Sequence, residues 1–170
     1  TRRNLRIARM APRRMADEQF MRRALALARR GMTRGDGGPF GALVVRRGVI
    51  VGEGWNRVVA TGDPTAHGEI VAIRAACRRL GAFSLKGCVL YTSAEPCPMC
   101  LGAIYWARIA RIFYGMTVAD AARIGFDDRF MYREFARPPS RRSIPAVQLL
   151  ARQARAVARE YTANPRRTAY

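Results

Sequence analysis

Apolar residues along the chain change their spacing several times, and each change predicts an element. Phe20, Ala24, Leu27 and Ala28 recur at helical spacing, with Asp17 available as N-cap and Gly31 as a stop, so a first helix is predicted from Asp17 to about Arg30. A glycine-rich turn, Gly35-Asp36-Gly37-Gly38-Pro39, follows it. Two apolar runs, Phe40 to Val45 and Val49 to Gly54, are joined by Arg46-Arg47-Gly48 and read as a β-hairpin. Asp63-Pro64 reads as the N-cap and first residue of a helix that runs to about Leu80 and closes at Gly81. Cys88 to Thr92 is a third predicted strand. Pro96 then opens a helix from Cys97 to about Ala107 that is apolar nearly all round (Met99, Leu101, Ile104, Tyr105, Trp106), the pattern of a buried helix. Ala110 to Tyr114 reads as a fourth strand. Strands alternating with helices in this way predict an α/β fold, a sheet with helices packed on its faces. Near the end, Val147, Leu150, Ala154, Val157 and Tyr161 form one apolar seam, with Arg152, Arg155 and Arg159 on the other side of the predicted terminal helix.

Composition bounds this picture. A chain of 170 residues with 49% hydrophobic content is long and apolar enough for one compact domain and excludes global disorder. Thirty-one basic against 12 acidic side chains give a net charge of +19, and all the basic residues but Lys86 are Arg. The charge sits mainly at the ends. Residues 15–136 hold 17 basic and 11 acidic residues, whereas residues 1–14 hold six Arg and no acid, and residues 137–170 hold eight Arg and one acid, Glu160. Residues 1–16 are therefore expected to be a basic, disordered extension, 17–136 the folded core, and 137–170 a basic helical segment. Basic ends attract nucleic acid or anionic surfaces, but they equally describe solvated faces or loose arms. No apolar run approaches the roughly 18 residues of a membrane span, and the start lacks the apolar stretch of a secretory signal. A cytoplasmic protein without membrane association is expected. In that compartment the four cysteines argue for metal or catalysis before disulfides.

His67, the only histidine, is followed two residues later by Glu69 at one predicted helix start, and Cys97 and Cys100 lie three apart at the next. A hydrolytic zinc site needs three protein ligands and an open position for water, and one His with two Cys is such a set. Two cysteines three apart share a helix face, and a helix N-terminus favours the thiolate that a metal requires. Zinc draws the pKa of its bound water towards neutrality, but a neighbouring base must still accept and return the proton. Glu69 points to a different side of the helix from His67 and is better suited to that task than to ligation. Each feature has a bland explanation: a surface His, a redox pair or half a structural zinc site, a first-turn acid favoured by the helix dipole. Their joint occurrence at two helix starts separated by a strand favours the hydrolytic site. Cys77 and Cys88 read as small buried apolar residues.

His-x-Glu followed by Pro-Cys-x-x-Cys is the signature of zinc-dependent nucleobase deaminases. On these residues the sequence resembles the cytidine-deaminase-like superfamily. The likeness extends over Gly38-Pro39-Phe40-Gly41-Ala42, Glu53-Gly54-Trp55-Asn56, Asp63 to His67, Glu95 to Trp106, Gly125-Phe126-Asp127-Asp128 and Arg142-Ser143-Ile144-Pro145, where the chain looks like the small bacterial guanine deaminases. The resemblance implies a three-layer fold with a mixed β-sheet and helices on both faces, a zinc cofactor, and hydrolysis of guanine to xanthine and ammonia. It also implies a homodimer whose C-terminal segments, capping the active sites, are exchanged between subunits. By the same resemblance Phe40 stacks on the purine, Asn56 and Asp128 hydrogen-bond it, Trp106 lines the pocket and Tyr170 closes over it. Residues of these types also serve as core or turn residues, and both readings stand at this level. Gly68 and Ala94 depart from the pattern, standing where most relatives carry Ala and Cys; neither touches a candidate ligand.

Three alternatives remain open from the sequence. One is deamination of guanosine or another nucleoside. A second is a tRNA adenosine deaminase, which the +19 charge favours and the Gly-Phe-Asp-Asp segment and capping C-terminus oppose. A third, of another class, is a zinc-stabilised nucleic-acid-binding module. That reading needs a fourth protein ligand, and the chain has no second His.

Overall fold

A computed structural model of the chain describes residues 2–169. It divides into two compact units, Thr1–Asp128 and Arg129–Tyr170. The first unit contains α1 (Arg2–Thr33), β1 (Gly41–Arg46), β2 (Val49–Trp55), α2 (Val58–Thr61), α3 (Gly68–Leu80), β3 (Val89–Ala94), α4 (Pro98–Trp106), β4 (Arg111–Met116) and α5 (Val118–Arg123). The sheet order is β2-β1-β3-β4, antiparallel at β1–β2 and β1–β3 and parallel at β3–β4. The predicted mixed sheet is therefore present, and the parallel pair is joined by the crossover helix α4.

Both faces of the sheet are covered, which is why β1 is apolar at successive positions rather than alternating. Ala42 and Val44 face a core built with Ala72, Ile73, Ala76, Leu90 and Ile104, so α3 and α4 cover that side. Leu43 and Val45 face Ala24, Leu27 and Tyr91, so α1 covers the other. Cys88 is buried in the first of these cores and Cys77 packs against it; burial pushes both thiols up, as expected of inert apolar fillers. The closest packing is between α3 and β2. A Cβ on Gly52 would lie 2.3 Å from Ala72 O, and one on Gly54 would lie 2.6 Å from Gly68 O. The helix thus rests on the strand backbone itself.

Several predicted boundaries shift for identifiable reasons. α1 begins well before Asp17, so Asp17 is not its N-cap; its carboxylate instead accepts a hydrogen bond from the Tyr91 hydroxyl at 2.5 Å, tying the helix to β3. α3 begins at Gly68, not at Pro64. It ends as predicted, with Gly81 in the left-handed region at φ 61°. α4 is not buried all round: Cys100 and Ile104 are inside, but Tyr105 is 76% and Trp106 68% exposed. α5 was not foreseen, although Thr117 and Asp120 cap it reciprocally through backbone and side chain.

The second unit, taken by itself, holds α6 (Arg129–Ala136), a 3₁₀ turn (Pro139–Arg141) and α7 (Ala151–Ala163). The Glu134 carboxylate accepts from both Ser143 N and Oγ, at 2.7 and 2.8 Å, and the Tyr161 hydroxyl donates to Thr168 O. The seam residues Val157 and Tyr161 lie on α7, whereas Val147 and Leu150 precede it. No helix among the described residues is long and apolar enough to cross a membrane.

Candidate active site

Two helix starts carry the chemistry. Asp63 does not cap α3 because its carboxylate is used locally, accepting from Thr65 N at 2.8 Å and Thr65 Oγ1 at 2.7 Å in an Asx turn. Arg57 N donates to Ala66 O at 2.9 Å and holds the chain out. The backbone therefore stays extended until His67 (φ −70°, ψ 155°), which becomes the N-cap residue of α3. Cys97 occupies the same position on α4 (φ −63°, ψ 166°), followed by Pro98 in the first turn. Both positive helix ends thus point into one region.

His67, Cys97 and Cys100 converge there, with their ligand atoms all within 4.8 Å of one another. Each sulfur lies 3.6 Å from His67 Nδ1. Ligands held at about 2.0–2.3 Å in a tetrahedral shell around zinc are roughly 3.5–3.8 Å apart, so this donor set fits the ion. The thiols themselves point the same way. A hydrogen bond from Cys100, with help from His67, draws the Cys97 thiol down to about 4, which favours the thiolate that a metal requires. The Cys97 sulfur and burial push Cys100 up. A cation between the two sulfurs removes that conflict by neutralising both. Cys97 also raises the His67 imidazole by accepting its hydrogen bond.

Glu69 is only 5% exposed and lies beside this set. Its Oε2 is 3.5 Å from Cys100 Sγ, and its Oε1 accepts from Thr92 Oγ1 at 3.3 Å. Burial pushes its carboxyl up, which suits a group that must both take and release a proton. Asp128 is the second acid at the site. Burial and then the Cys97 charge push its carboxyl up, and its Oδ1 is buried without a hydrogen-bond partner. A buried acceptor left open is a place for a ligand donor.

Phe40 and Asn56 flank His67 from the hairpin. Asn56 N donates to Phe40 O at 2.8 Å, and Arg57, the next residue, is bonded to Ala66. Asn56 is 4% exposed, and its Oδ1 accepts from Val58 N at 3.2 Å. Phe40 meets Phe126 edge-on, with ring centroids 4.8 Å apart. Trp106 lies at the far end of α4 from Cys97 and is exposed within this chain. Tyr170 lies outside the described residues. Sequence reasoning missed Thr92, Ser93 and Phe126. Ser93 Oγ accepts from Gly41 N at 3.0 Å and so fixes the start of β1. The available signal was two adjacent polar residues near the end of an otherwise apolar strand, buried from Leu90 onward.

Comparisons with known proteins agree with this geometry. The cytidine and deoxycytidylate deaminase zinc-binding region matches residues 14–116. A guanine deaminase of Bacillus subtilis is 54% identical over 135 residues, covering 79% of this chain and 86% of the relative. A crystal structure of guanine deaminase from Bacillus subtilis superposes with a TM-score of 0.87 at 48% identity, covering 90% of this chain and 98% of that one. A tRNA-specific adenosine deaminase of Haemophilus influenzae is 41% identical over 118 residues, 66% of this chain and 68% of the relative. With its matched zinc-binding region and its converging His67, Cys97 and Cys100, the chain belongs to the cytidine and deoxycytidylate deaminase family.

Proposed function

We infer that the protein is a zinc-dependent guanine deaminase that hydrolyses guanine to xanthine and ammonia. The observation that carries this is the buried Glu69 carboxylate 3.5 Å from a sulfur of the three-ligand cluster, in a chain 54% identical to a guanine deaminase. When bound, zinc supplies a water whose proton is lost near neutral pH. His67, Cys97 and Cys100 hold the ion. Glu69 takes the water proton and delivers it to N3, the imine nitrogen beside C2, as the water oxygen bonds to C2. The same carboxylate then takes the proton of the new C2 hydroxyl and passes it to the 2-amino group, so that the C2–N bond breaks, C2=O forms and ammonia leaves. Asp128 Oδ1 accepts a hydrogen bond from a purine N–H, Asn56 binds another polar edge, and Phe40 takes the ring face. Trp106 and Tyr170 complete the pocket in this reading.

The protein acts as a homodimer on a free small molecule, with the C-terminal unit exchanged between subunits. The exposed Tyr105 and Trp106 on α4 and the apolar seam of α7 support a second copy, since such surfaces favour covering. Four free thiols, two of them placed as ligands, suit the cytoplasm.

The test is ammonia release from guanine, guanosine, adenosine and tRNA, presented separately. Turnover of guanine without RNA is expected. Ammonia from tRNA but not from guanine would overturn the reading in favour of the tRNA branch of the family.

A further inference from the structure

Gly37 has no backbone reason to be glycine. Its φ lies outside the left-handed region that Gly35 occupies at 72°. What excludes a side chain is Asn56: a Cβ on Gly37 would lie 2.0 Å from Asn56 Oδ1 and 3.0 Å from both Asn56 Cγ and the Asn56 backbone carbonyl oxygen, so the amide oxygen is the severe clash. The same Oδ1 accepts from Val58 N at 3.2 Å, which commits the amide oxygen to the protein, and Nδ2 makes no hydrogen bond among the described residues. The amino end is therefore the end offered to a ligand. The strip that carries Gly37 is anchored at the preceding residue, Asp36. Trp55 Nε1 donates to Asp36 Oδ2 at 2.7 Å, Arg30 lies over the Trp55 ring at 4.9 Å, and Ala60 N donates to Asp36 O at 3.0 Å. These contacts limit how far the strip can retreat on the Asp36 side.

From this we infer that Gly37 is a positioning residue. Its bare Cα sets the rotamer of Asn56 so that the amide faces the ligand as a hydrogen-bond donor and reads an acceptor atom of the purine. The inference rests on the guanine reading for the identity of the ligand, but the contact between Gly37 and Asn56 does not. A Cβ at position 37 turns the amide, breaks its bond to Val58 N and misdirects the donor.

The test is a double-mutant cycle of Gly37→Ala in the natural background and in Asn56→Ala, read by steady-state kinetics on guanine, zinc content and melting temperature. In the natural background, Gly37→Ala is expected to raise KM about tenfold, the size of one lost hydrogen bond, with kcat little changed and zinc retained. In the Asn56→Ala background it should change neither constant. The melting temperature follows the same logic. An alanine replacing glycine at a compatible φ ordinarily stabilises through the unfolded chain, so Gly37→Ala should lower the melting temperature only while Asn56 is present. If Gly37→Ala fails to fold alone but folds when combined with Asn56→Ala, the inference stands. Additive losses, failure to fold in both backgrounds, or a fall in kcat at unchanged KM would overturn it. A natural protein that does not release ammonia from guanine refutes the functional reading, while the melting cycle still reports on Gly37.

Discussion

Glu69 Oε2 lies 3.5 Å from Cys100 Sγ, so a carboxylate two residues from one candidate ligand reaches across to a ligand on another helix. It is a neighbour of the metal position without being part of the donor set. Glu69→Ala should therefore keep zinc and lose turnover by about 10²–10⁴-fold, the range for removing a general acid–base group. Metal analysis and ammonia release on the same sample check both halves.

Cys97 and His67 occupy the cap positions of α4 and α3, and neither side chain caps its helix. A zinc ion held by both side chains would tie the two helix starts together. Chelation should abolish activity and lower the melting temperature, and added zinc should restore both. Calorimetry of the chelated and reloaded protein measures this.

Thr92 donates to Glu69 Oε1 from a fully buried position on β3. Thr92→Val preserves shape and removes the donor. A hydrogen bond to a charged group is worth about 1.5–3 kcal/mol, so kcat should fall on the order of tenfold or more while KM stays near its original value. Thr92→Ser, which keeps the hydroxyl, should recover most of the loss.

Arg23 and Glu53 form a bidentate pair between α1 and β2, at 2.6 and 2.8 Å. The hydrogen bond from Arg23 holds the Glu53 carboxyl below its ordinary range. A carboxyl lowered by folding stabilises the native state above its unfolded pKa of about 4.3 and loses that contribution as pH falls through the folded value. The pair is partly solvated, so Arg23→Ala should cost under about 1 kcal/mol at neutral pH. The difference should vanish at the acid end of a denaturation series run against pH.

Tyr105 stands out from α4 beside Trp106, which is also exposed. Tyr105→Glu should shift the proposed dimer towards monomer without unfolding the core. Light scattering coupled to size exclusion reports the mass, and circular dichroism reports the fold.

The four strands and both central helices could be read from apolar spacing because each buries apolar residues in one of the two cores that flank the sheet, whereas the parallel pairing of β3 with β4 leaves no mark in that spacing. The start of α3 could not. Asp63-Pro64 carries strong helix-start chemistry, yet the Asp63 carboxylate is satisfied by Thr65 and the chain is held extended by the Arg57–Ala66 bond, a contact between segments that no local pattern contains. The metal set was legible because its chemistry allows few residue types. Thr92 and Gly37 were not, since their importance lies in what packs against them: Glu69 on α3 for one and Asn56 beyond β2 for the other. The exposure of Tyr105 and Trp106 likewise departs from the buried helix that the composition of α4 predicts, because a fully apolar helix says that it wants covering but not by what.

Gly52 and Gly54 bring β2 against α3 backbone to backbone, with Gly54 opposite the carbonyl of Gly68, the residue between His67 and Glu69. No layer of side chains lies between them to absorb a displacement, so the hairpin works as a rigid gauge for the depth of the imidazole and the carboxylate. A single methyl group added to Gly54, outside the reaction centre, moves ligand and proton carrier together. Its signature is a protein that still folds but carries too little metal and turns over slowly, a catalytic lesion whose origin is a strand.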